Sequence, residues 1–145
     1  MLLATATSSH GSILKIDSTK KVCKKLQEVD ANAASWTTNI GNERWEILMS
    51  VLTSSESVAA LKPMATGLMH RYEEHNQPPP QVLYTDRDCC GRDNQSKYRV
   101  LFDKWDLCVR LDVWHYMRRL ANGCTSESHP LYGMCMSRLS AAIFQ

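Results

Sequence analysis

Long apolar runs are missing from this sequence, and its N-terminal stretch lacks the features of a secretory signal. No stretch approaches the ~20 consecutive apolar residues that a helix needs to cross a bilayer. The N-terminal stretch MLLATATSSHGSILK has neither the basic flank nor the long apolar centre of a secretory signal. We therefore expect an intracellular protein, nuclear or cytoplasmic, that is not secreted and has no membrane partner.

Positive and negative charges nearly balance, with a net charge of +2 over 145 residues. A net charge this small does not demand a nucleic-acid partner, because a general electrostatic affinity for phosphate needs a much stronger or more clustered positive field. Two local clusters of positive charge remain, KKVCKK from Lys20 and Lys21 onward, and the pair Arg118 and Arg119. Each cluster is either a solvated surface or a set of phosphate contacts, and both interpretations stay open.

Two kinds of chemical motif are also absent. The six cysteines are spread along the chain without a CxxC pair, and the adjacent Cys89 and Cys90 are poorly placed to chelate one ion. No nucleophile-elbow motif of a hydrolase occurs. We therefore expect reduced thiols, no structural zinc site, and no hydrolase of the Ser-His-Asp or Cys-His kind.

The residues that are present predict one folded domain, since 43% are hydrophobic and 22% are charged. The first predicted strand is ILKID, which Asp17 ends. A hairpin follows, with SWTTNI and ERWEILMSVL on either side of a Gly41-Asn42 loop. Its second strand is apolar on both faces, which is typical of a strand covered from both sides.

Helices and strands alternate in the rest of the chain. A helix is predicted after the hairpin, because Thr53 and Glu56 have capping-box spacing and apolar residues recur at the helical period. Its predicted core residues are Val58, Leu61, Ala65, Leu68 and Tyr72. Five further elements follow in the order strand, helix, strand, helix, helix: QVLYT, SKYRVLFDKWD, LCVRLD, VWHYMRRLANG and ESHPLYGMCMSRLSAAIF.

The second predicted helix, SKYRVLFDKWD, is expected to bury Tyr98, Leu101, Phe102 and Trp105. Antiparallel strands followed by parallel ones predict an α/β fold with a mixed sheet flanked by helices.

Acidic residues follow two of these strands. Asp17 ends the first strand, and Asp86 directly follows VLYT, with Asp88 as the rival to Asp86. If the two strands are neighbours, their carboxylates face each other across one cleft and need cations, and Mg²⁺ or Mn²⁺ are the hard ions that suit them. The alternative is that Asp17 is a turn residue and that Asp86 and Asp88 cap the next helix.

The motifs IDST, NIGNERWEILMSVLTSSES, VLYTD and RLDVWHYMRR, taken in this order, resemble the catalytic core of cut-and-paste DDE transposases. The closest resemblance is to the Mutator-like and hAT branches and to proteins derived from them, and it covers nearly the whole chain. It implies an RNase H-like fold, a DNA partner, and catalytic, metal-binding roles for Asp17 and Asp86. The segment from Asp112 to His115, DVWH, is similar to a Cys-x-x-His motif of these branches, with Asp112 in place of the cysteine.

The resemblance also implies nucleic-acid contacts. His115 is expected to orient a scissile phosphate or to contact DNA, with Arg118 and Arg119 binding phosphate oxygens and Lys20 and Lys21 adding a second basic patch. For Trp114 and His115, the alternative is an amphipathic helix with Trp114 in the core and His115 hydrogen-bonded beneath it.

A DDE site needs a third acid, which these branches carry on a late helix beyond a helical insertion. LSAAIFQ at the C-terminus resembles the start of that insertion. We therefore expect a partial RNase H-like core over residues 1–122, the start of a helical insertion over 123–145, a weakly bound Mg²⁺ or Mn²⁺, and little or no strand cleavage.

Two other hypotheses stay open. One is a non-catalytic module that binds nucleic acid, or that binds itself or a full-length relative through the apolar C-terminal residues Leu139, Ile143 and Phe144. The other is a small nuclease that takes its last ligand from Asp88 or Asp112. Manganese-dependent cleavage that Asp17→Asn abolishes would favour the nuclease, whereas salt-sensitive DNA binding that ignores Asp17 would favour the module.

Overall fold

The computed structural model describes residues 10–20, 36–89, 96–124 and 126–144. The chain divides into two compact units, Met1–Arg110 and Leu111–Gln145. The first unit contains the sheet and two helices, and the second contains two further helices. The boundary expected between residues 122 and 123 falls inside a helix of the second unit.

A five-stranded mixed sheet forms the body of the first unit. Its strands are β1 (Ile13–Thr19), β2 (Trp36–Asn42), β3 (Ile47–Thr53), β4 (Val82–Thr85) and β5 (Cys108–Leu111). Their spatial order is β3-β2-β1-β4-β5. The first three strands are antiparallel neighbours, and β4 runs parallel to β1. The predicted α/β fold with a mixed sheet is therefore confirmed.

The hairpin between β2 and β3 forms as predicted, but its loop lies further along the chain. Gly41 and Asn42 belong to β2, and the turn is made by residues 43–46. The side chain of Asn42 organises this turn, because its Oδ1 accepts from the backbone N–H groups of Arg44 (2.9 Å) and Glu46 (3.0 Å). An asparagine that satisfies turn donors in this way defines the loop more strongly than the Gly-Asn pair.

Helix α1 (Val58–Glu74) covers one face of the sheet. Its cap is Ser57, whose hydroxyl accepts from the N–H of Ala60, so the predicted capping box at Thr53 and Glu56 is wrong. Its buried residues are Leu61, Met64, Ala65, Leu68, Met69 and Tyr72. Val58 is only half-buried, and the other four predicted core positions are buried.

The opposite face of the hairpin is open to solvent. In β3, which is an edge strand, Leu52 is 53% exposed and Ile47 is 63% exposed. The prediction of a strand covered on both sides is therefore wrong. At an edge strand that packs on one layer of helices, apolar residues on the outer face remain in water.

Helix α2 (Lys97–Leu101) precedes β5 and packs against α1. It is shorter than predicted, because the chain turns after Leu101. The four residues expected to point inward, Tyr98, Leu101, Phe102 and Trp105, are all buried.

The second unit is a pair of packed helices, α3 (Val113–Cys124) and α4 (Tyr132–Ile143). Met117 and Ala121 of α3 are buried, whereas α4 buries no residue, and Phe144 beyond it is 64% exposed. Within the described part of the chain, no helix has the length and apolar character needed to cross a membrane.

Candidate metal site of the first unit

Two aspartates from neighbouring parallel strands come together in the first unit. Ile16 of β1 is paired with Thr85 of β4, and Asp17 and Asp86 are the residues that follow them. A carboxylate oxygen of Asp17 lies within 4.8 Å of one of Asp86. The predicted convergence of these two acids, which are 69 positions apart (86 minus 17), is thus what the parallel register produces.

Asp17 differs from its predicted position in one respect. It lies inside β1, which continues to Thr19, and not at the end of the strand. The strand continues because β2 pairs with it over this length, with Asp17 opposite Asn39 and Thr19 opposite Thr37. The shorter β4 ends at Thr85, so the edge where the acids meet is formed by the end of β4 alone.

Two carboxylates this close repel each other, and they attract any cation that reaches them. Asp17 is exposed, and the side chain of Asp86 retains 18% of its accessible surface. Their oxygen atoms are hard ligands of the kind that Mg²⁺ and Mn²⁺ prefer. Among the described residues, no third carboxylate places an oxygen within 4.8 Å of both acids. The pair can therefore supply two protein ligands to one ion.

Arg87 is already close to the acid pair. Its Nε lies 3.0 Å from Oδ2 of Asp86, and its Nη1 lies 3.8 Å from Oε2 of Glu56. The hydrogen bond that Arg87 donates to Asp86 is the main reason why the pKa of Arg87 is raised, with the charges of Asp86 and Glu56 acting in the same direction and burial opposing them. This guanidinium offsets part of the negative charge that a metal ion would otherwise neutralise.

A buried hydroxyl pair supports the end of β4. Thr85 is fully buried, and its hydroxyl donates to the backbone oxygen of Arg87 (3.1 Å). The hydroxyl of Tyr98 is hydrogen-bonded to the side chain of Thr85, and burial raises the pKa of Tyr98 to about 12. Tyr98 therefore stays neutral and fixes the backbone from which Asp86 projects.

Asp88, the rival second ligand, has a structural role of its own. Its Oδ2 accepts from the backbone N–H of Lys97 at 2.7 Å, which is the first residue of α2. Asp88 also has a φ of 59°, in the left-handed region that aspartate tolerates better than most residues. This arrangement matches the capping alternative for Asp88.

A shallow groove beside Asp17 contains residues that the motif search did not single out. It has a volume of about 200 Å³ and is lined by Lys15, Asn39 and Trp45, among others. Trp45 is 75% exposed, and the ammonium of Lys15 lies 3.3 Å from the centre of its ring. Lys15 and Asp17 are two positions apart in β1, so their side chains point to the same face of the strand. This spacing is the sequence signal that could have identified Lys15 as a neighbour of Asp17.

The predicted basic contacts are placed as follows. In the first unit, Lys20 lies over the ring of Trp36, with 4.4 Å between its Nζ and the ring centre. Lys21 lies outside the described residues. In the second unit, Arg119 is exposed, and Arg118 pairs with Glu127 (Nε to Oε1, 2.7 Å).

His115 belongs to the first turn of α3. Asp112 precedes this helix, and its Oδ1 accepts from the N–H of Trp114 (2.9 Å) and lies 3.3 Å from Nδ1 of His115. Trp114 is 48% exposed, and Arg118 lies over its ring. The alternative with Trp114 in the core is therefore wrong, and Asp112 acts as the cap of α3.

Comparison with known proteins does not assign a function to this site. Neither a comparison with models of protein families nor one with curated proteins finds a match for this chain.

Proposed function

We propose that the protein is a remnant or domesticated form of a transposase-like core with an RNase H-like fold. In this proposal it binds one Mg²⁺ or Mn²⁺ ion weakly between Asp17 and Asp86, and it cleaves DNA little or not at all. The observation that carries the proposal is the close approach of the two carboxylates across the parallel pair β1 and β4. The strand order, with an antiparallel hairpin before the parallel strands, supports the fold that the motif resemblance implies.

Weak metal binding follows from the number and charge of the ligands. Two carboxylates leave most of the six positions around Mg²⁺ to water, so the protein holds the ion with few direct bonds. Arg87 at 3.0 Å from Asp86 weakens the site further, since it repels the incoming cation. Asp86 is a better second ligand than Asp88, whose carboxylate is engaged by the N–H of Lys97.

Low cleavage activity follows from the same small number of carboxylate ligands. Two-metal phosphoryl transfer stabilises both the attacking and the leaving oxygen, and this requires carboxylates that bridge and surround two ions. The described residues provide no third carboxylate within reach of the pair. A single, mostly hydrated ion can bind a phosphate, but it does not form the two-ion arrangement.

A second candidate function is a non-catalytic interaction module. It is favoured by the second unit, in which α4 buries no residue and Phe144 is 64% exposed. Such a surface suits association with another copy or a longer relative. Lys20, His115, Arg118 and Arg119 remain predicted DNA contacts; of these, Arg118 is paired with Glu127 and His115 with Asp112.

The direct test is Mn²⁺ binding, followed by electron paramagnetic resonance of the free ion. We expect Asp17→Asn and Asp86→Asn each to weaken binding by about tenfold, because each removes half of the charge that holds the ion. Asp106→Asn is the matched control, because Asp106 is an exposed aspartate of the same unit. Equal binding by all four proteins would refute the metal site.

Two DNA assays separate the two candidate functions. The transposase-like remnant is supported if a plasmid stays intact with Mn²⁺ while metal binding depends on Asp17. DNA binding that weakens steeply with salt and ignores Asp17→Asn supports the module. Cleavage that Asp17→Asn abolishes would show an active nuclease and would overturn the expected inactivity.

A further inference from the structure

Two histidine rings meet at the C-terminal end of α1. His10 lies just before β1, and His75 is the residue that ends α1. The Nε2 atom of His10 lies 3.2 Å from the Nδ1 atom of His75, although 65 positions separate the residues in the chain. The two rings are nearly perpendicular, with 5.0 Å between their centres.

The position of His10 is fixed by the residues around it. Its ring packs edge-on against Tyr72, with 4.7 Å between the centres. The hydroxyl of Tyr72 accepts from the N–H of Gly11 (2.8 Å) and donates to the carbonyl of Gly11 (3.0 Å). A side chain at Gly11 is excluded, because its Cβ would lie 2.6 Å from Cβ of Asn42. The backbone next to His10 is thus held against α1.

The His10 imidazole also has the surroundings of a metal ligand. It is hydrogen-bonded to the backbone carbonyl of Arg71, and metal-binding histidines commonly donate their second ring nitrogen to such a carbonyl. Burial, more than any other cause, lowers the pKa of His10, with the charges of His75 and Arg71 acting in the same direction. A neutral imidazole is the form that binds a metal.

The spacing of the two nitrogens matches a shared ion. Two ligands at Zn–N distances of ~2.0–2.1 Å and a tetrahedral angle are about 3.3–3.4 Å apart. The observed 3.2 Å is close to this value. A direct N–H···N hydrogen bond also fits the distance. A metal therefore takes the place of the proton between the rings, which moves to the other nitrogen of the donor ring, and the rings need to move only a little.

We propose that His10 and His75 form a binding site for a late first-row divalent ion, with Zn²⁺ as the reference ion. Imidazole nitrogen favours Zn²⁺, Ni²⁺ and Cu²⁺ over Mg²⁺, so this site differs in chemistry from the carboxylate pair. A cavity of about 230 Å³, lined by His10, Ser12, Glu43 and Gln77 among others, adjoins the His10 side of the pair. Water molecules in this space complete the coordination.

The experiment follows the histidine rings by long-range ¹H–¹⁵N spectroscopy while ZnSO₄ is added to the full chain under reducing conditions. The expected result is that substoichiometric Zn²⁺ shifts the ring nitrogens of His10 and His75 before those of other histidines. This readout distinguishes the pair from the cysteines, which also bind zinc. Isothermal titration with NiSO₄ gives the affinity.

Three variants complete the test. His10→Gln and His75→Gln are each expected to weaken Ni²⁺ binding at least tenfold. His70→Gln is the matched control, because His70 is an exposed histidine of the same helix that faces Glu74, and it should change the affinity less than twofold. Since His75 is exposed, His75→Gln tests the site even if His10→Gln unfolds the protein.

These measurements can either support or overturn the proposed histidine site. Equal affinity of His75→Gln and wild type, or ring shifts that begin at other histidines, would overturn the proposal. Asp17→Asn should leave the Ni²⁺ affinity unchanged, so a failure of the carboxylate site and a failure of the histidine site give different results.

Discussion

Arg87 places a positive charge beside the proposed metal site. Its guanidinium lies 3.0 Å from Asp86 and is 51% exposed, so solvent screens part of its charge. We expect Arg87→Met to tighten Mn²⁺ binding by about threefold to tenfold, because a positive charge near the ion is removed. The affinity is measured by the same resonance titration.

A matched control is available on the hairpin turn. Arg44 is exposed, and Arg44→Met should change Mn²⁺ affinity little. If Arg87→Met weakens binding or leaves it unchanged, Asp86 is a structural partner of Arg87 rather than a metal ligand.

At the scale of single residues, the sequence predicts the two acids well and their neighbours poorly. Asp17 and Asp86 follow from strand patterns, because a parallel pair of strands aligns the residues that come after matched apolar runs. Arg87 does not follow from any pattern, and Lys15 follows only as a residue on the same face of β1 as Asp17. The roles of these two residues depend on the conformations of their side chains, and an exposed charged side chain can adopt several conformations.

Among the structural elements, the β2–β3 hairpin depends on one buried amide. Asn42 is fully buried, and its side chain donates to Oε2 of Glu46 (2.6 Å) and to the carbonyl of His10 (3.3 Å), besides accepting the two turn N–H groups. We expect Asn42→Ala to lower the free energy of unfolding by about 2–4 kcal/mol, because buried donors and acceptors lose their partners. Urea unfolding measures the change.

Asn39→Ala is the control for this prediction. Asn39 lies on the same strand, and its Oδ1 accepts from the hydroxyl of Ser50 at the exposed surface (2.6 Å). We expect a loss below about 1 kcal/mol there. Similar losses for the two variants would mean that Asn42 does not organise the turn.

The same elements show why boundaries are harder to predict than element types. Gly41-Asn42 has the composition of a tight turn, but the Asn42 side chain moves the turn to residues 43–46. Thr53 and Glu56 have capping-box spacing, but Ser57 provides the cap. In both cases several polar residues can satisfy the same backbone groups, and tertiary packing selects one of them.

For the whole molecule, the mixed sheet could be predicted because the elements alternate in a clear order. The open face of β3 could not, since an apolar strand pattern does not say how many layers cover the sheet. The placement of Lys20 over Trp36 is likewise a matter of tertiary structure.

Stability of the whole molecule should fall in alkaline solution because of Tyr98. Its pKa is about 12 in the folded protein, mainly because of burial, against about 10 in the unfolded chain. Between these values the unfolded chain releases a proton that the folded protein keeps. The contribution is therefore fully present below pH 10 and is lost as pH rises to about 12, at a cost of about 3 kcal/mol. Tyr72, whose pKa burial also raises, acts in the same direction.

Tyr98→Phe isolates this contribution. At pH 8 the variant should be about 1 kcal/mol less stable than wild type, because Thr85 loses a hydrogen bond. Between pH 10 and 12 the gap should close and then reverse, since the variant cannot ionise at this position while the wild type can. Urea unfolding of both proteins under reducing conditions measures the two slopes. Parallel slopes over this range would show that the Tyr98 hydroxyl ionises as readily in the folded protein as in the unfolded chain, and that Thr85 and the end of β4 are not fixed by a buried, neutral phenol.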